Sequence, residues 1–181
     1  IGREPFAQLN IGAESVPAGS EGLMFHPYLN GELTPYNDPL LRGSYTGISS
    51  HHTTAHFTRA PLEGVAMSLK DCMQTLEELD VKMTRLRIIG GGAKGMLWRQ
   101  IVSDVLGMKL EKVRVDDSSF GTAMLAAVGT GWFGSFAEAA ERCVERESVS
   151  EPIASNCEAY EELFKKYKAI HDALAPIYGG R

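Results

Sequence analysis

Ile88-Ile89-Gly90-Gly91-Gly92-Ala93-Lys94-Gly95-Met96-Leu97-Trp98 joins two kinds of periodicity through a cluster of glycines. Before the cluster, Leu86-Arg87-Ile88-Ile89 is a β-type run; after it, Leu97, Ile101, Val102, Val105 and Leu106 recur at helical spacing until Gly107. Glycines between a strand and a helix let main chain come close to a ligand. The start of the helix offers unpaired N–H groups with a partial positive charge. Such a turn suits a phosphate or a nucleotide, while a tight turn with no ligand is the competing reading.

Working outward, Lys112-Val113-Arg114-Val115 alternates its faces as a strand does, and Phe120 through Val128 forms a helix of small residues able to pack closely. Strand, helix, strand, helix in succession implies parallel pairing with crossover connections. Upstream, Phe57, Leu62, Val65, Leu69, Met73 and Leu76 mark a long helix ending near Asp80, with Thr53 or Thr54 placed to cap it. Pro61 lacks the amide of the helical ladder, so the regular helix is expected to begin later than Thr54. Leu23-Met24-Phe25 and Gly43-Ser44-Tyr45-Thr46-Gly47-Ile48 are short candidate strands, and the turn-forming residues 30–39 between them make a loop. At the far end, Ser155-x-x-Glu158 reads as a capping box for an amphipathic helix carrying Tyr160, Leu163, Phe164, Tyr167, Ile170 and Leu174. Lys165, Lys166 and Lys168 fall on its polar face, and Arg142 to Glu147 reads as a solvated helix end.

The 181 residues are enough for one well-buried core, so a single domain over 1–181 is expected, with 1–20 as an irregular lead-in. A hydrophobic fraction of 44% and a formal net charge of −5 suit a globular protein and argue against nucleic acid as a partner. No apolar run approaches the roughly 20 residues that cross a bilayer, and no signal pattern opens the chain, so no membrane partner and a cytoplasmic location are expected. Cys72, Cys143 and Cys157 form no Cys-x-x-Cys pair and read as small apolar residues. A first residue of Ile suggests a cut inside a larger protein.

Two phosphate motifs compete for the glycine turn. A Walker A loop needs Gly-Lys followed by Ser or Thr, whereas Gly95 is followed by Met96 and Leu97, so that reading fails. The dinucleotide fingerprint fits better: Gly90-x-Gly92-x-x-Gly95 has its spacing, and Asp116 follows the next strand where a ribose-binding acid would sit. An NAD(P)-binding oxidoreductase module therefore stays open on spacing.

Longer segments discriminate. Gly43-Ser44-Tyr45-Thr46-Gly47-Ile48 and His56-Phe57-Thr58-Arg59-Ala60-Pro61-Leu62-Glu63-Gly64 resemble the second signature of the FGGY family of carbohydrate kinases. Pro17 to Leu23 and Pro27 to Glu32 look like its xylulokinase branch. Gly90 to Lys94, Leu97 to Gln100, Ser103 to Gly107 and Gly121 to Ala126 resemble its nucleotide-site segment and the helix beyond. The likeness runs from about Pro17 to Gly131, in family order.

The resemblance implies an α/β fold of the actin-like ATPase (ribonuclease-H-like) type, a mixed sheet flanked by helices, forming the C-terminal, nucleotide-binding half of a two-domain sugar kinase. It implies ATP with Mg2+ as cofactor, ATP and ADP as ligands, and a sugar such as xylulose held mainly by an N-terminal domain. A homodimer stays open. Gly90, Gly91 and Gly92 would pass beneath the nucleotide, and Ala93, Lys94 and Gly95 would border the base. Relatives often carry Ser or Asn where this chain has Gly95, so base recognition would rest on backbone groups. No catalytic residue and no metal ligand is assigned: Asp38, Asp104, Asp116 and Asp117 sit outside the family's catalytic segments. A non-catalytic actin-like interaction domain is the remaining alternative.

Other pairs have plainer readings. His52 and His56 have a zinc-compatible spacing but no third ligand. Arg59 and Glu63 suit a structural ion pair, Glu32 a solvated loop carboxylate, and Trp98 either a nucleotide shield or packing under the turn.

Overall fold

A computed structural model describes residues 5–179. The glycine turn lies in a parallel β-α-β unit. Strand β3 (Leu86–Ile88) pairs in parallel with β4 (Leu110–Val113), and α3 (Met96–Leu106) makes the crossover. Gly107, in the left-handed region at φ 64°, ends α3 and turns the chain back toward the sheet. Strand β5 (Arg146–Ser150) adds to β4 in antiparallel fashion, giving the order β3-β4-β5 and a mixed sheet.

Helix α2 (Thr54–Glu78) is the spine. It starts at Thr54, earlier than Pro61 suggests, and Pro61 lies inside it. The reason is a substitute bond. The carbonyl of Phe57, four residues before the proline, would lose its helical donor, and the Tyr45 hydroxyl donates to it at 3.1 Å. Tyr45 stands on β2 (Ser44–Thr46), which pairs antiparallel with β1 (Met24–His26) beside α2.

The C-terminal helix α6 (Ala154–Leu174) packs Tyr160, Phe164 and Tyr167 against Ala66 and Met67 of α2 and Ile101, Val102 and Val105 of α3. Its cap differs from the sequence reading. Ser155 lies inside the helix, and the buried Asp104 of α3 accepts from Ile153 N, from Asn156 Nδ2 and from Gln100 Nε2, each at 2.8 Å. A tertiary carboxylate has replaced the local hydroxyl, which sequence spacing cannot reveal.

A charged knot crosses the same core. Glu63, 2% exposed, accepts from Arg59 Nε at 2.7 Å, Ser20 Oγ at 2.7 Å, Gly19 N at 2.9 Å and Tyr160 OH at 2.8 Å. Arg59 donates in turn to the Ala13 carbonyl and to Tyr160 OH. Burial, with the Glu63 carboxylate alongside, pushes the Tyr160 phenol well above its ordinary range. Arg59 and Glu63 are thus the structural ion pair their spacing suggests.

Three further expectations change. The lead-in 1–20 contains a helix, α1 (Pro5–Glu14), whose Ala13 is fully buried; its residues 1–4 lie outside the described range. Arg146 and Glu147 are not part of a solvated helix end. They open β5, and Glu147 accepts from Lys112 Nζ at 2.6 Å across the sheet. Lys168 leaves the polar face to reach the buried Asp71 at 2.6 Å, with Tyr36 OH beside it.

The remaining helices, α4 (Ser118–Gly129) and α5 (Phe136–Cys143), pack on each other. Asp117 caps α4 through Ser119 N at 2.7 Å, and no residue of α4 is buried. No helix among the described residues is long and apolar enough to cross a membrane.

Candidate functional site

The glycines sit where β3 ends and α3 begins. Gly90 has φ 79°, and its N–H donates to Asp116 Oδ2 at 2.9 Å, tying the end of β3 to the chain just beyond β4. Gly91–Lys94 then form a 3-10 turn in which Ala93 N donates to Gly90 O at 3.1 Å and Gly95 N to Gly92 O at 3.2 Å. Arg99 Nη1, one turn into α3, donates to the Ala93 carbonyl. A carboxylate thus holds one side of the turn and a guanidinium the other.

These bonds leave the Gly91 and Gly92 amides without an acceptor among the described residues. A Cβ placed on Gly90 or Gly91 meets no atom within 4 Å, so their outer face is open. Gly92 differs: a Cβ there would lie 2.9 Å from Trp98 Nε1, so Trp98 packs beneath the turn. The first turn of α3 carries no acidic residue to oppose the positive end of its dipole. Lys94, exposed at the end of the 3-10 turn, has no ion-pair partner among the described residues.

The six sequence candidates therefore share one turn but not one role. Gly90, Gly91, Gly92 and Lys94 are exposed, Gly95 is half-buried with its amide already engaged, and the Ala93 side chain is fully buried. Sequence reasoning missed Asp116 and Arg99 as the groups that hold the turn. Asp116, which a dinucleotide reading would turn toward a ribose, is turned onto Gly90 N instead. The other aspartates are also engaged: Asp104 caps α6, Asp117 caps α4, and Asp38 accepts from Leu40 N at 2.8 Å.

The histidine pair resolves differently from a metal site. His56 Nδ1 accepts the Thr53 N–H at 3.1 Å, so in the neutral ring its Nε2 carries the proton and donates to Glu21 Oε2 at 3.0 Å. His52 Nδ1 likewise accepts from Ser49 N. No group of three or more His, Cys, Asp or Glu among the described residues is arranged to hold a metal ion. Glu32 accepts from the neighbouring Leu33 N on the surface loop.

Residues 3–130 match the FGGY family of carbohydrate kinases, C-terminal domain. The chain belongs to this family. It is 38% identical over 164 residues to the xylulose kinase of Staphylococcus epidermidis, covering 90% of this chain and 33% of that protein. It is 34% identical to the gluconokinase of Bacillus subtilis, covering 98% of this chain and 33% of that protein. Among solved structures, the ligand-bound xylulose kinase from Lactobacillus acidophilus superposes with a TM-score of 0.90 at 28% identity, over 97% of this chain and 36% of that one. The chain thus spans about a third of the length of the curated relatives it matches. The fold is the actin-like ATPase type that the sequence resemblance implies, and no comparison supports an NAD(P)-binding module or a non-catalytic interaction domain.

Proposed function

We propose that this chain is the nucleotide-binding part of an ATP-dependent sugar kinase, and that the sugar is a pentulose such as xylulose. The observation that carries the reading is the open outer face of Gly90 and Gly91 at the mouth of α3, beside two free amides. Family membership gives that face its meaning. The xylulose kinase relative exceeds the gluconokinase in identity, 38% against 34%, which supports the pentulose.

In this reading ATP, accompanied by Mg2+, supplies the phosphoryl group. The chain's own residues bind and orient. Gly90 to Gly92 lie under the nucleotide, the Gly91 and Gly92 N–H groups and Lys94 offer positive charge, and Ala93 to Gly95 border the base through main chain. Asp116 and Arg99 hold the turn rigid, so little ordering is required when ligand arrives. Phosphoryl transfer depends on positioning and on charge stabilisation around the accepting hydroxyl. By the family resemblance that hydroxyl and the base beside it belong to an N-terminal domain, and residues 1–181, read as one domain, are expected to be inactive alone. The reading also includes a cytoplasmic location, no nucleic-acid partner and a homodimer as the assembly to look for.

Titrating the chain with ATP and with NADH tests the proposal. ATP should bind in preference, with a dissociation constant weaker than about 1 μM because residues 1–181 would supply only one wall of the cleft. Preferential NADH binding sinks it. Assay of the intact protein with xylulose and with gluconate then decides the sugar.

A further inference from the structure

Three buried polar atoms with no partner belong to residues that line one small cavity between the β1–β2 pair and α6: His26 Nδ1, Ser44 Oγ and His171 Nε2. His26 is 1% exposed and His171 7%. Leaving such groups unpaired costs about 1–3 kcal/mol each, so three around one space call for an explanation.

The hydrogen-bond pattern fixes what each atom requires. His26 Nε2 lies 3.0 Å from the Tyr167 carbonyl oxygen, which can only accept, so Nε2 carries the proton and Nδ1 of the neutral ring presents a lone pair. His171 Nδ1 lies 3.1 Å from the Asp172 carboxylate, which also accepts, so Nε2 of the neutral ring presents a second lone pair. Ser44 is the cross-strand partner of His26, and its hydroxyl can donate or accept. The residues lining the cavity therefore carry two unpaired acceptors and the unpaired hydroxyl of Ser44. Of the other polar residues lining it, Tyr28 OH is bonded to Tyr167 OH at 2.9 Å, Arg42 Nη1 donates to the Pro39 and Leu41 carbonyls, and Tyr178 is half-buried.

We propose that this cavity is a binding site for a single structural water, which donates to His26 Nδ1 and His171 Nε2 and accepts from the Ser44 hydroxyl. The chemistry is complementary, since water has two protons to give and lone pairs to receive one. The size agrees as well. About 10 Å³ is open to the centre of a water molecule, close to the minimum of roughly 10–15 Å³ that one water requires. The bridge joins the end of β1, its partner β2 and the last turn of α6, three segments far apart in sequence. It also fixes both imidazole tautomers.

The test is a high-resolution crystal structure of the protein, joined to nitrogen-15 NMR of the two imidazoles and a water-to-ring cross-relaxation measurement. One ordered water within hydrogen-bonding distance of all three atoms is expected. The proton should be on Nε2 in His26 and on Nδ1 in His171, with a persistent cross-peak from water to the His26 ring. His171→Phe should lose the cross-peak, whereas Ser44→Ala should keep it because both lone pairs remain. Ser44 Oγ bonded directly to His26 Nδ1 with no water between, or the opposite tautomer in either ring, overturns the proposal. The measurements on the unaltered protein decide the matter even if the variants fail to fold.

Discussion

The knot around Glu63 and the turn at Gly90 are both polar and both hold main chain in place, yet they are built in opposite ways. Glu63 is buried and receives four donors from three separated parts of the chain. The turn is exposed, its outer face meets no protein atom, and two of its amides have no acceptor among the described residues. Polar groups buried and satisfied specify a fold, while polar groups left open at a strand-to-helix junction are available to something else. On the proposed function, stability and binding fall to different regions of the molecule, and substitutions can test that division.

The largest effect is expected at Glu63. Glu63→Ala strands the guanidinium of Arg59 in the core, and removing one member of a buried pair costs about 3–5 kcal/mol. Urea unfolding should show a loss of that order. A loss near that of a surface substitution would mean that water reaches the knot and that the two regions are less different than their burial implies.

Gly64→Ala comes next. A Cβ at Gly64 would lie 2.0 Å from the Phe25 carbonyl oxygen, a main-chain atom that cannot swing aside. Forcing α2 away from β1 should cost about 1–3 kcal/mol in the same assay. An unchanged midpoint would show that the helix and the β1–β2 pair are loosely coupled.

Acid should weaken the buried half in a direction that can be stated in advance. Burial, with the like charge of His171 as a lesser cause, holds the His26 imidazole below its ordinary 6.5, against the Tyr167 carbonyl, which favours the proton. A depressed folded value means that the unfolded chain takes up the proton first. Stability from this residue is then complete above 6.5 and declines as pH falls through the folded value. Unfolding midpoints measured down through that window should fall in the parent protein, and the slope should flatten in His26→Phe.

Much of this contrast was legible in the residues, for identifiable reasons. Helices α2, α3 and α6 announce themselves because one face of each is buried and apolar positions recur at its period. Strand β4, by contrast, runs Leu110–Val113, two residues earlier than the alternation of Lys112 to Val115 suggests. Strand β5 did not announce itself, since its mostly exposed residues Arg146 to Ser150 bury neither face. Pro61 misled because its remedy, the Tyr45 hydroxyl, comes from another element, and Ser155 misled because Asp104 does its work from across the core. The site divides the same way. Its glycines are a local signal, whereas Asp116 and Arg99 acquire their roles only when strand ends and helix starts come together.

The smallest change in stability is expected at Gly91, and it bears most directly on the nucleotide proposal. Its backbone is not in the left-handed region, and an added Cβ meets nothing within 4 Å. Gly91→Ala should therefore move the unfolding midpoint by less than about 0.5 kcal/mol, as expected for a surface substitution without strain. Gly90→Ala is the control for backbone geometry, since φ 79° disfavours any side chain by roughly 1–2 kcal/mol. If the glycines serve only to turn the chain, Gly91→Ala changes nothing else. If a nucleotide lies against bare main chain, the new methyl group stands between ligand and amide, and ATP affinity should fall by about tenfold, or ~1.4 kcal/mol, with stability intact. Unaltered ATP binding in Gly91→Ala would move the ligand off this turn.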